Sequence, residues 1–204
     1  MTEENEFDYD TQVGGALKHN KKAQKMFKFS TFIRANIFIV YDFTVKPENT
    51  SKWLPFVMQE ERDRDADLAP EQGTKYRNRP DENSAWTEYV VISAAAPRRS
   101  DTEKLRHRGW ESPVYHAEFT LSRGTYFCSY EYKTTYDGTI LTYCEWDTAG
   151  NHFDPFSQDL LDNCKHVIEA ACAEKDLRNL YSRCVRSGES VLSAWRRIYY
   201  RGAV

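Results

Sequence analysis

Residues 125–147 read TYFCSYEYKTTYDGTILTYCEWD, and this stretch decides the fold. Two runs rich in tyrosine, threonine and other strand-forming residues flank the dipeptide Asp137-Gly138. Asp-Gly is typical of a two-residue hairpin turn, because both central residues of a type I′ turn need a positive φ. A two-residue loop places Tyr132 opposite Tyr143. The stretch therefore predicts an antiparallel hairpin with Asp137 and Gly138 at its tip.

Side chains alternate across a strand, so the predicted register gives the hairpin two different faces. One face is rich in tyrosine and is predicted to point inward: Tyr126, Cys128, Tyr130, Tyr132, Leu141, Tyr143 and Glu145. The other face carries more charge and is predicted to point outward. A three-residue loop would shift the pairing by one residue and mix the two faces, so the inner surface depends on the turn.

An amphipathic helix is predicted to follow the hairpin. Asp154 is a typical N-cap residue, and Pro155 is a typical first helical residue. Apolar residues then recur mostly at steps of three and four: Phe156, Leu160, Cys164, Val167, Ile168, Ala171, Leu177, Leu180 and Tyr181. We expect residues 154–180 to form one helix on the tyrosine-rich face of the sheet.

Upstream, the clearest pattern is the strict alternation of apolar residues from Ile33 to Val45, which predicts a long strand. The charged stretch 59–67 fits a solvated helix or an exposed strand equally well. The remaining predictions are helical turns at 48–56, strands at 73–77, 86–93 and 114–121, and a polar loop at 100–113. Strands around a helical insert, closed by a last helix, are typical of an α+β antiparallel domain.

Composition and charge argue against several broad classes. The 204 residues carry a net charge of −3, which disfavours a general nucleic-acid binder. No apolar run approaches the length of a membrane span, and the acidic N-terminus lacks the apolar segment of a signal peptide. The five cysteines include no CxxC pair, so we interpret them as buried or half-buried thiols in a reducing compartment, the cytoplasm.

Both ends of the chain are predicted to lie outside the folded domain. Residues 1–28 combine an acidic head with a basic stem, which is typical of a solvated arm. The alternative is a basic helix over 16–27 that docks on a partner or an anionic surface. Residues 181–204 are predicted to form a basic and aromatic helical extension. Within it, residues 190–201 either pack on the domain or dock on a protein partner, a second copy or an anionic surface.

The order of several short motifs resembles a known superfamily. They are a first strand that runs into a proline and a tryptophan-containing helical turn, Gly73-Thr74-Lys75-Tyr76-Arg77, Trp86 with Tyr89-Val90, Pro97-Arg98-Arg99, Asp137-Gly138-Thr139 with Leu141-Thr142, and a long last helix. From about Phe29 to Lys175 the chain resembles the START/Bet v 1-like (SRPBCC) superfamily, most closely its polyketide cyclase/dehydrase-type branch. The resemblance implies a helix-grip domain, placed here at residues 29–180. In that fold a curved seven-stranded antiparallel sheet wraps around the C-terminal helix. It encloses an apolar cavity that usually holds a lipid, sterol, polyketide or other hydrophobic ligand.

The inner face of the sheet supplies the candidate site. A tyrosine offers a large apolar body and one hydroxyl, a combination that orients apolar ligands. The candidate ligand contacts are Tyr126, Tyr130, Tyr132, Tyr143, Leu141, Trp86 and Glu88. Glu145 would have a raised pKa in an apolar cavity and could then act as a general acid or base. Plain core packing of the tyrosines, and an ion pair between Glu145 and a neighbouring strand, are the alternatives.

Three functional hypotheses follow, and none of them needs a metal or a cofactor. The histidines are scattered without HxxxH or HExxH spacing, and no glycine-rich phosphate loop is present. The first hypothesis is binding of a small hydrophobic or aromatic molecule in an internal cavity. The second is a cyclase-, aromatase- or dehydratase-type enzyme that uses Glu145 and a tyrosine as an acid–base pair. The third is a non-catalytic interaction protein whose pocket is filled and which docks through its terminal extensions.

Overall fold

The computed structural model describes residues 26–65, 68–107 and 110–187. For residues 107, 110 and 176–187 it describes the backbone only. The strands are β1 (Phe27–Ile33), β2 (Gln59–Arg62), β3 (Lys75–Arg79), β4 (Thr87–His107), β5 (Trp110–Arg123), β6 (Tyr126–Thr134) and β7 (Thr139–Asp147). The helices are α1 (Ile37–Val45), α2 (Pro47–Trp53) and α3 (Gln158–Ser187). The strands form one antiparallel sheet in the order β1-β7-β6-β5-β4-β3-β2. This seven-stranded sheet with its long C-terminal helix confirms the predicted α+β helix-grip fold.

The hairpin predicted over residues 125–147 is present as β6 and β7, with its register shifted by two residues. Tyr132 lies opposite Leu141 and not opposite Tyr143. The connecting loop spans residues 135–138 and is closed by a hydrogen bond from the Thr135 N–H to the Gly138 carbonyl (2.8 Å). The two-residue loop is therefore wrong. A shift by two keeps every side chain on its predicted face, and the inner face is confirmed.

Gly138 is needed for a close approach and not for a positive φ. A Cβ atom at this position would collide with the backbone carbonyl oxygen of Ile33 at the end of β1. The positive-φ glycines of the described residues are Gly73, Gly124 and Gly150. The predicted type I′ turn is wrong, because Gly138 does not have the positive φ that this turn needs. Glycine is required here by the close approach of β1.

The strand predicted over Ile33–Val45 is also wrong, since β1 ends at Ile33 and α1 begins at Ile37. Asn36 caps α1, because its side chain accepts a hydrogen bond from the N–H of Phe38 (2.9 Å). The residues that α1 buries recur at steps of three, one, three and one: Ile37, Val40, Tyr41, Thr44 and Val45. A mostly apolar run satisfies the strand period and the helix period together. Packing against β4, β5 and β6 selects the helix.

The polar loop predicted at 100–113 is a continuation of the sheet. β4 runs on to His107 and β5 begins at Trp110, so the two strands form a long hairpin. Its charged side chains pair across the strands, as Lys104 does with Glu111 (2.9 Å). Polar residues in this segment are therefore the exposed side chains of a ribbon and not a loop.

Two further segments agree with the sequence-based predictions. The helical turns predicted at 48–56 are confirmed as α2, and the charged stretch 59–67 contains the edge strand β2. Arg62 lies opposite Tyr76, which is buried. Alternation along β2 therefore points Glu60 and Arg62 toward the inner face of the sheet.

α3 begins at Gln158, later than the predicted start at Asp154 and Pro155. The backbone N–H of Phe156 donates a hydrogen bond to the carboxylate of Glu145. This bond holds Phe156 against the sheet and outside the helix. Among the described side chains of α3, Leu161, Cys164 and Ile168 are fully buried, whereas Leu160 is only partly buried. Up to residue 175 the predicted apolar period is thus correct, with Leu161 in the place expected for Leu160. The predicted Leu177, Leu180 and Tyr181 lie outside the described side chains.

The predicted terminal segments fall mostly outside the described residues. β1 begins at Phe27, so the last two residues of the arm predicted over 1–28 belong to the sheet. Residues 1–25 and 188–204 are not described. The extension predicted over 181–204 begins inside α3, which continues to Ser187, and its docking segment 190–201 lies outside the described residues.

Candidate functional site

Most of the predicted site residues come together on the inner face of β6 and β7. Tyr126 is half-buried, and the others in this group are at most 9% exposed: Tyr130, Tyr132, Leu141, Tyr143 and Glu145. Strand alternation alone brings them to one face. They occupy the even positions of β6 and the odd positions of β7, and these positions lie opposite each other in the pairing.

Glu145 is the only carboxylate of this group and is 2% exposed. Its Oε2 accepts hydrogen bonds from the hydroxyls of Tyr126 (2.7 Å) and Tyr143 (3.1 Å), and its Oε1 accepts from the N–H of Phe156. We call these four residues the Glu145 cluster. Loss of hydration raises the pKa of Glu145, and its three hydrogen bonds oppose that shift. Among the described side chains no lysine or arginine pairs with it, so the ion pair considered from the sequence is not observed.

Aromatic side chains of the protein itself pack around the Glu145 cluster. The ring of Tyr143 lies on Phe156 with 4.4 Å between centroids, and Phe156 also contacts Trp53 at 5.9 Å. Tyr130 also packs against Tyr143, with 5.0 Å between ring centroids. A carboxyl with a raised pKa between two tyrosine hydroxyls has the groups for proton transfer. Here those groups are satisfied by each other, and the cluster fastens the segment before α3 to the sheet.

Tyr132 and Leu141 belong to the hydrophobic core, where Tyr132 packs against α1. The hydroxyl of Tyr132 lies 2.6 Å from the hydroxyl of Thr44, and its ring meets Tyr41 edge-on at 5.4 Å. Leu141 is fully buried. Burial raises the pKa of Tyr132 well above its ordinary value, so this residue is a neutral packing element.

Trp86 and Glu88 lie apart from this group, on the outer face of the sheet. Tyr89 pairs with the buried Tyr76 and points inward, so alternation points Glu88, and Trp86 two residues before it, outward. The guanidinium groups of Arg77 and Arg79 lie 4.8 and 4.6 Å from the Trp86 ring. Glu88 is exposed and pairs with Lys75 at 3.1 Å. Their predicted place on the inner surface is wrong.

A second carboxylate, which sequence reasoning missed, faces inward from β2. The carboxylate of Glu60 accepts a hydrogen bond from the hydroxyl of Thr50 in α2. Loss of hydration raises the pKa of Glu60 to about 7, although its bonds to Thr50 and Asn78 oppose the shift. The sequence carries no signal for this, because Glu60 sits in a run of charges that reads as solvated.

A groove of about 590 Å³ opens between α1 and α3. Its lining is mostly apolar and comes from α1, α2, β4 and α3: Phe38, Ile39, Tyr41, Asp42, Phe43, Asn49, Pro97, Ile168, Ala171, Cys172 and Lys175. Phe38 and Ile39 remain 49% and 45% exposed. The groove shares no residue with the predicted site. Sequence reasoning missed it because α1 was predicted to be a strand, which would have placed these residues within the sheet.

Comparison with known proteins adds only a likeness of fold. No protein-family model matches the chain, and no curated protein matches it. A conserved protein of unknown function from Enterococcus faecalis shares 15% identity with a TM-score of 0.47, covering 71% of each chain. Ara h 8.0201 shares 12% identity with a TM-score of 0.47, over 72% of this chain and 99% of that one. A protein from Nitrosomonas europaea shares 11% identity with a TM-score of 0.45, over 72% and 96% of the two chains.

Likeness at this level indicates neither a ligand nor an activity. The strand order and the C-terminal helix described above are the basis for the helix-grip architecture. These comparisons test neither the superfamily that the sequence resembles nor its polyketide cyclase branch.

No group of three or more potential metal-ligating side chains occurs within 26–65, 68–107 and 110–187. None of the helices in these ranges is long and apolar enough to cross a membrane.

Proposed function

We propose that this protein binds a small hydrophobic or aromatic molecule in the groove between α1 and α3. The observation that carries the proposal is an open groove of about 590 Å³ whose walls are mostly apolar. Small-molecule sites typically measure about 300–1,000 Å³ and combine apolar walls with a few polar groups. Here Asn49, Asp42 and Lys175 supply the polar groups. Phe38 and Ile39 are about half exposed in the groove, and a bound apolar molecule would remove their surface from water.

The groove is a better candidate than the tyrosine-rich inner face. Tyr130 and Tyr143 are at most 9% exposed and already contact each other. A ligand at that face would have to displace Phe156 from Tyr143 and break its hydrogen bond to Glu145. A ligand in the groove displaces no described side chain. The helix-grip fold is compatible with either position.

Binding can be tested with an uncharged fluorescent probe, N-phenyl-1-naphthylamine, and a pair of matched variants. Ala171 and Ala170 are both exposed on α3, and only Ala171 lines the groove. Ala171→Trp places a bulky ring in the groove without disturbing the core, and Ala170→Trp places the same ring outside it. We expect the probe to fluoresce with the wild type and with Ala170→Trp, and Ala171→Trp to weaken its binding at least about tenfold, since a filled site loses the contacts of one ligand ring.

Two results would contradict the proposal. One is a wild-type protein in which the probe gains no fluorescence. The other is equal affinity in Ala171→Trp and the wild type, which would place the probe elsewhere. Thermal unfolding of both variants verifies that they remain folded.

An acid–base enzyme of the cyclase, aromatase or dehydratase type is a second and weaker proposal. It is favoured by one observation, the raised pKa of Glu145 beside the hydroxyls of Tyr126 and Tyr143. The 2% exposure of Glu145 counts against it, because a substrate has no access to the carboxylate without movement of Phe156. Glu145→Gln keeps the shape and deletes the proton-transfer group, so it would abolish turnover and leave simple carriage of a ligand unchanged.

The cytoplasmic location and the docking of residues 190–201 on a protein partner remain proposals. The location is supported by Cys128 and Cys164, which are buried thiols whose pKa burial raises to about 12. Such thiols do not need an oxidising compartment. The docking segment lies outside the described residues.

A further inference from the structure

We propose that the ligand of the groove is a free single-chain amphiphile with a carboxylate headgroup, which Lys175 and Arg99 bind while its tail lies along the apolar walls. This inference rests on the proposed function and adds the chemical class of the ligand to it. It is carried by the charges around the groove.

Lys175 gives the groove an uncompensated positive charge. This residue lines the groove and is exposed, and no carboxylate among the described side chains pairs with it. Asp42 is the acidic residue in the same lining, and its carboxylate pairs with Lys46 at 3.1 Å. The lining therefore offers one available cation and no available anion.

Arg99 adds a second cation on the same side of the molecule. It lies opposite Tyr115 in the β4–β5 pairing, and paired residues share a face of the sheet. The ring of Tyr115 packs edge-on against Phe38 in the groove wall at 5.4 Å. Pro97, two residues before Arg99, is itself part of the wall. Arg99 is exposed and has no ion pair within the described part of the chain.

The neighbouring Arg98 provides a natural comparison. It lies opposite His116, whose side chain reaches Glu103 at 3.1 Å on the outer face. Arg98 and Arg99 are both exposed, but strand alternation sends them to opposite faces of the same ribbon. A charge effect that needs Arg99 and not Arg98 is therefore specific to the groove side.

An apolar groove flanked by two unpaired cations matches a molecule with an apolar tail and an anionic head. Burial of the tail supplies most of the affinity, and the headgroup sets its direction in the groove. A carboxylate suits this pair of side chains, because a guanidinium can donate two parallel hydrogen bonds to it and a lysine adds a point charge.

The test is competition between dodecanoate and dodecanol for N-phenyl-1-naphthylamine bound to the full-length protein at low ionic strength. The two competitors have the same tail and differ in headgroup charge. We expect dodecanoate to displace the probe at about tenfold lower concentration than dodecanol. This preference should fall toward one in Lys175→Gln and in Arg99→Gln, persist in Arg98→Gln, and shrink as salt is added.

The possible failures are distinguishable. Equal displacement by the two competitors in the wild type would overturn the carboxylate assignment and leave the proposed function standing. Failure of the probe to bind at all would overturn both. Displacement by phosphatidylcholine–phosphatidylglycerol vesicles, with none by dodecanoate, would identify a membrane surface as the source of negative charge and contradict a free amphiphile.

Discussion

Glu145 shows how one side chain can fit a catalytic prediction and serve a structural purpose. Both oxygens of its carboxylate accept hydrogen bonds, and one of the donors is the backbone N–H of Phe156. A buried N–H without a partner costs more than the hydrogen bond itself contributes. The residue therefore fixes the path of the chain between β7 and α3.

Replacing Glu145 tests this structural role. Glu145→Ala removes the acceptor of three donors, so we expect a loss of about 2–4 kcal/mol in the free energy of unfolding. Glu145→Gln keeps one oxygen acceptor for the Phe156 N–H and should cost less than half as much. Urea unfolding of the two variants measures both effects. Equal costs, or a cost below about 0.5 kcal/mol for the alanine variant, would show that the hydrogen bonds do not anchor this segment.

The raised pKa of Glu60 predicts how the stability of the protein changes with pH. Its pKa is raised from 4.5 to about 7 in the folded protein. Between these values the folded state holds a proton that the unfolded state has released. The stability that this proton contributes is complete below pH 4.5 and is lost as pH rises through about 7. Glu60→Gln removes this dependence and keeps an oxygen acceptor for Thr50.

We therefore expect Glu60→Gln to gain stability relative to the wild type as pH rises from 5 to 8, in urea unfolding at a series of pH values. Gln59→Glu adds a carboxyl on the outer side of the same strand and serves as a control without this trend. A difference between Glu60→Gln and the wild type that stays constant with pH would contradict the raised pKa.

At the residue scale, the sequence predicted which face of the sheet a side chain occupies only in the β6–β7 hairpin, where the two strands pair with each other. Tyr126, Tyr143 and Glu145 were placed correctly on the inner face, because a register error of two residues preserves parity. Trp86 and Glu88 were misplaced, since nothing in the sequence of β4 alone says which parity points inward. The direction was set by the pairing of Tyr89 with Tyr76.

At the element scale, α3 depends on which of two adjacent leucines enters the core. Leu161 is fully buried and Leu160 is only partly buried. We expect Leu161→Ala to cost about 2–5 kcal/mol in urea unfolding, through lost apolar burial and the cavity left behind. Leu160→Ala removes the same atoms from a less buried position and should cost clearly less. Equal costs, or the reverse order, would contradict the orientation of α3 on the sheet.

The failure to predict α1 has a physical explanation. Ile37 to Val45 is apolar at nearly every position, so its sequence contains both periods. The deciding features are the cap at Asn36 and the burial of one helical face against three strands. The cap was visible in the sequence, whereas the strands that α1 packs on come from distant parts of the chain.

At the scale of the whole molecule, the boundary of the folded domain can be placed by deletion. Phe27 pairs with Glu145 in the sheet, and its ring meets Phe153 at 5.6 Å. We propose that residues 1–25 contribute little to stability, so their deletion should change Tm by less than about 2 °C. Deletion of residues 1–28 also removes the start of β1 and should lower Tm by about 4–8 °C, corresponding to about 2 kcal/mol. Thermal unfolding that shows the larger drop for the shorter deletion would mean that the arm is part of the folded structure.

The groove is formed by elements that are far apart in the sequence. Its walls combine α1, one residue of α2, Pro97 of β4 and the middle of α3. The antiparallel sheet and the C-terminal helix were predictable from the order of motifs along the chain. The groove was not predictable, because it depends on how α1 packs on the sheet and on the register shift of β4 between Ala95 and Arg98. The resemblance to a known superfamily therefore implied a ligand cavity, and the tyrosine pattern directed that prediction to the packed inner face.

We propose that a hydrophobic ligand binds in the groove and not at the inner face of the sheet. Two-dimensional ¹H–¹⁵N NMR of the protein titrated with N-phenyl-1-naphthylamine tests this most directly, because the two sites share no residue. We expect the largest shifts in the backbone amides of residues 38–43 and 168–175, and small shifts at Tyr126, Tyr143 and Glu145. The opposite distribution, with the largest shifts at the Glu145 cluster, would contradict the claim.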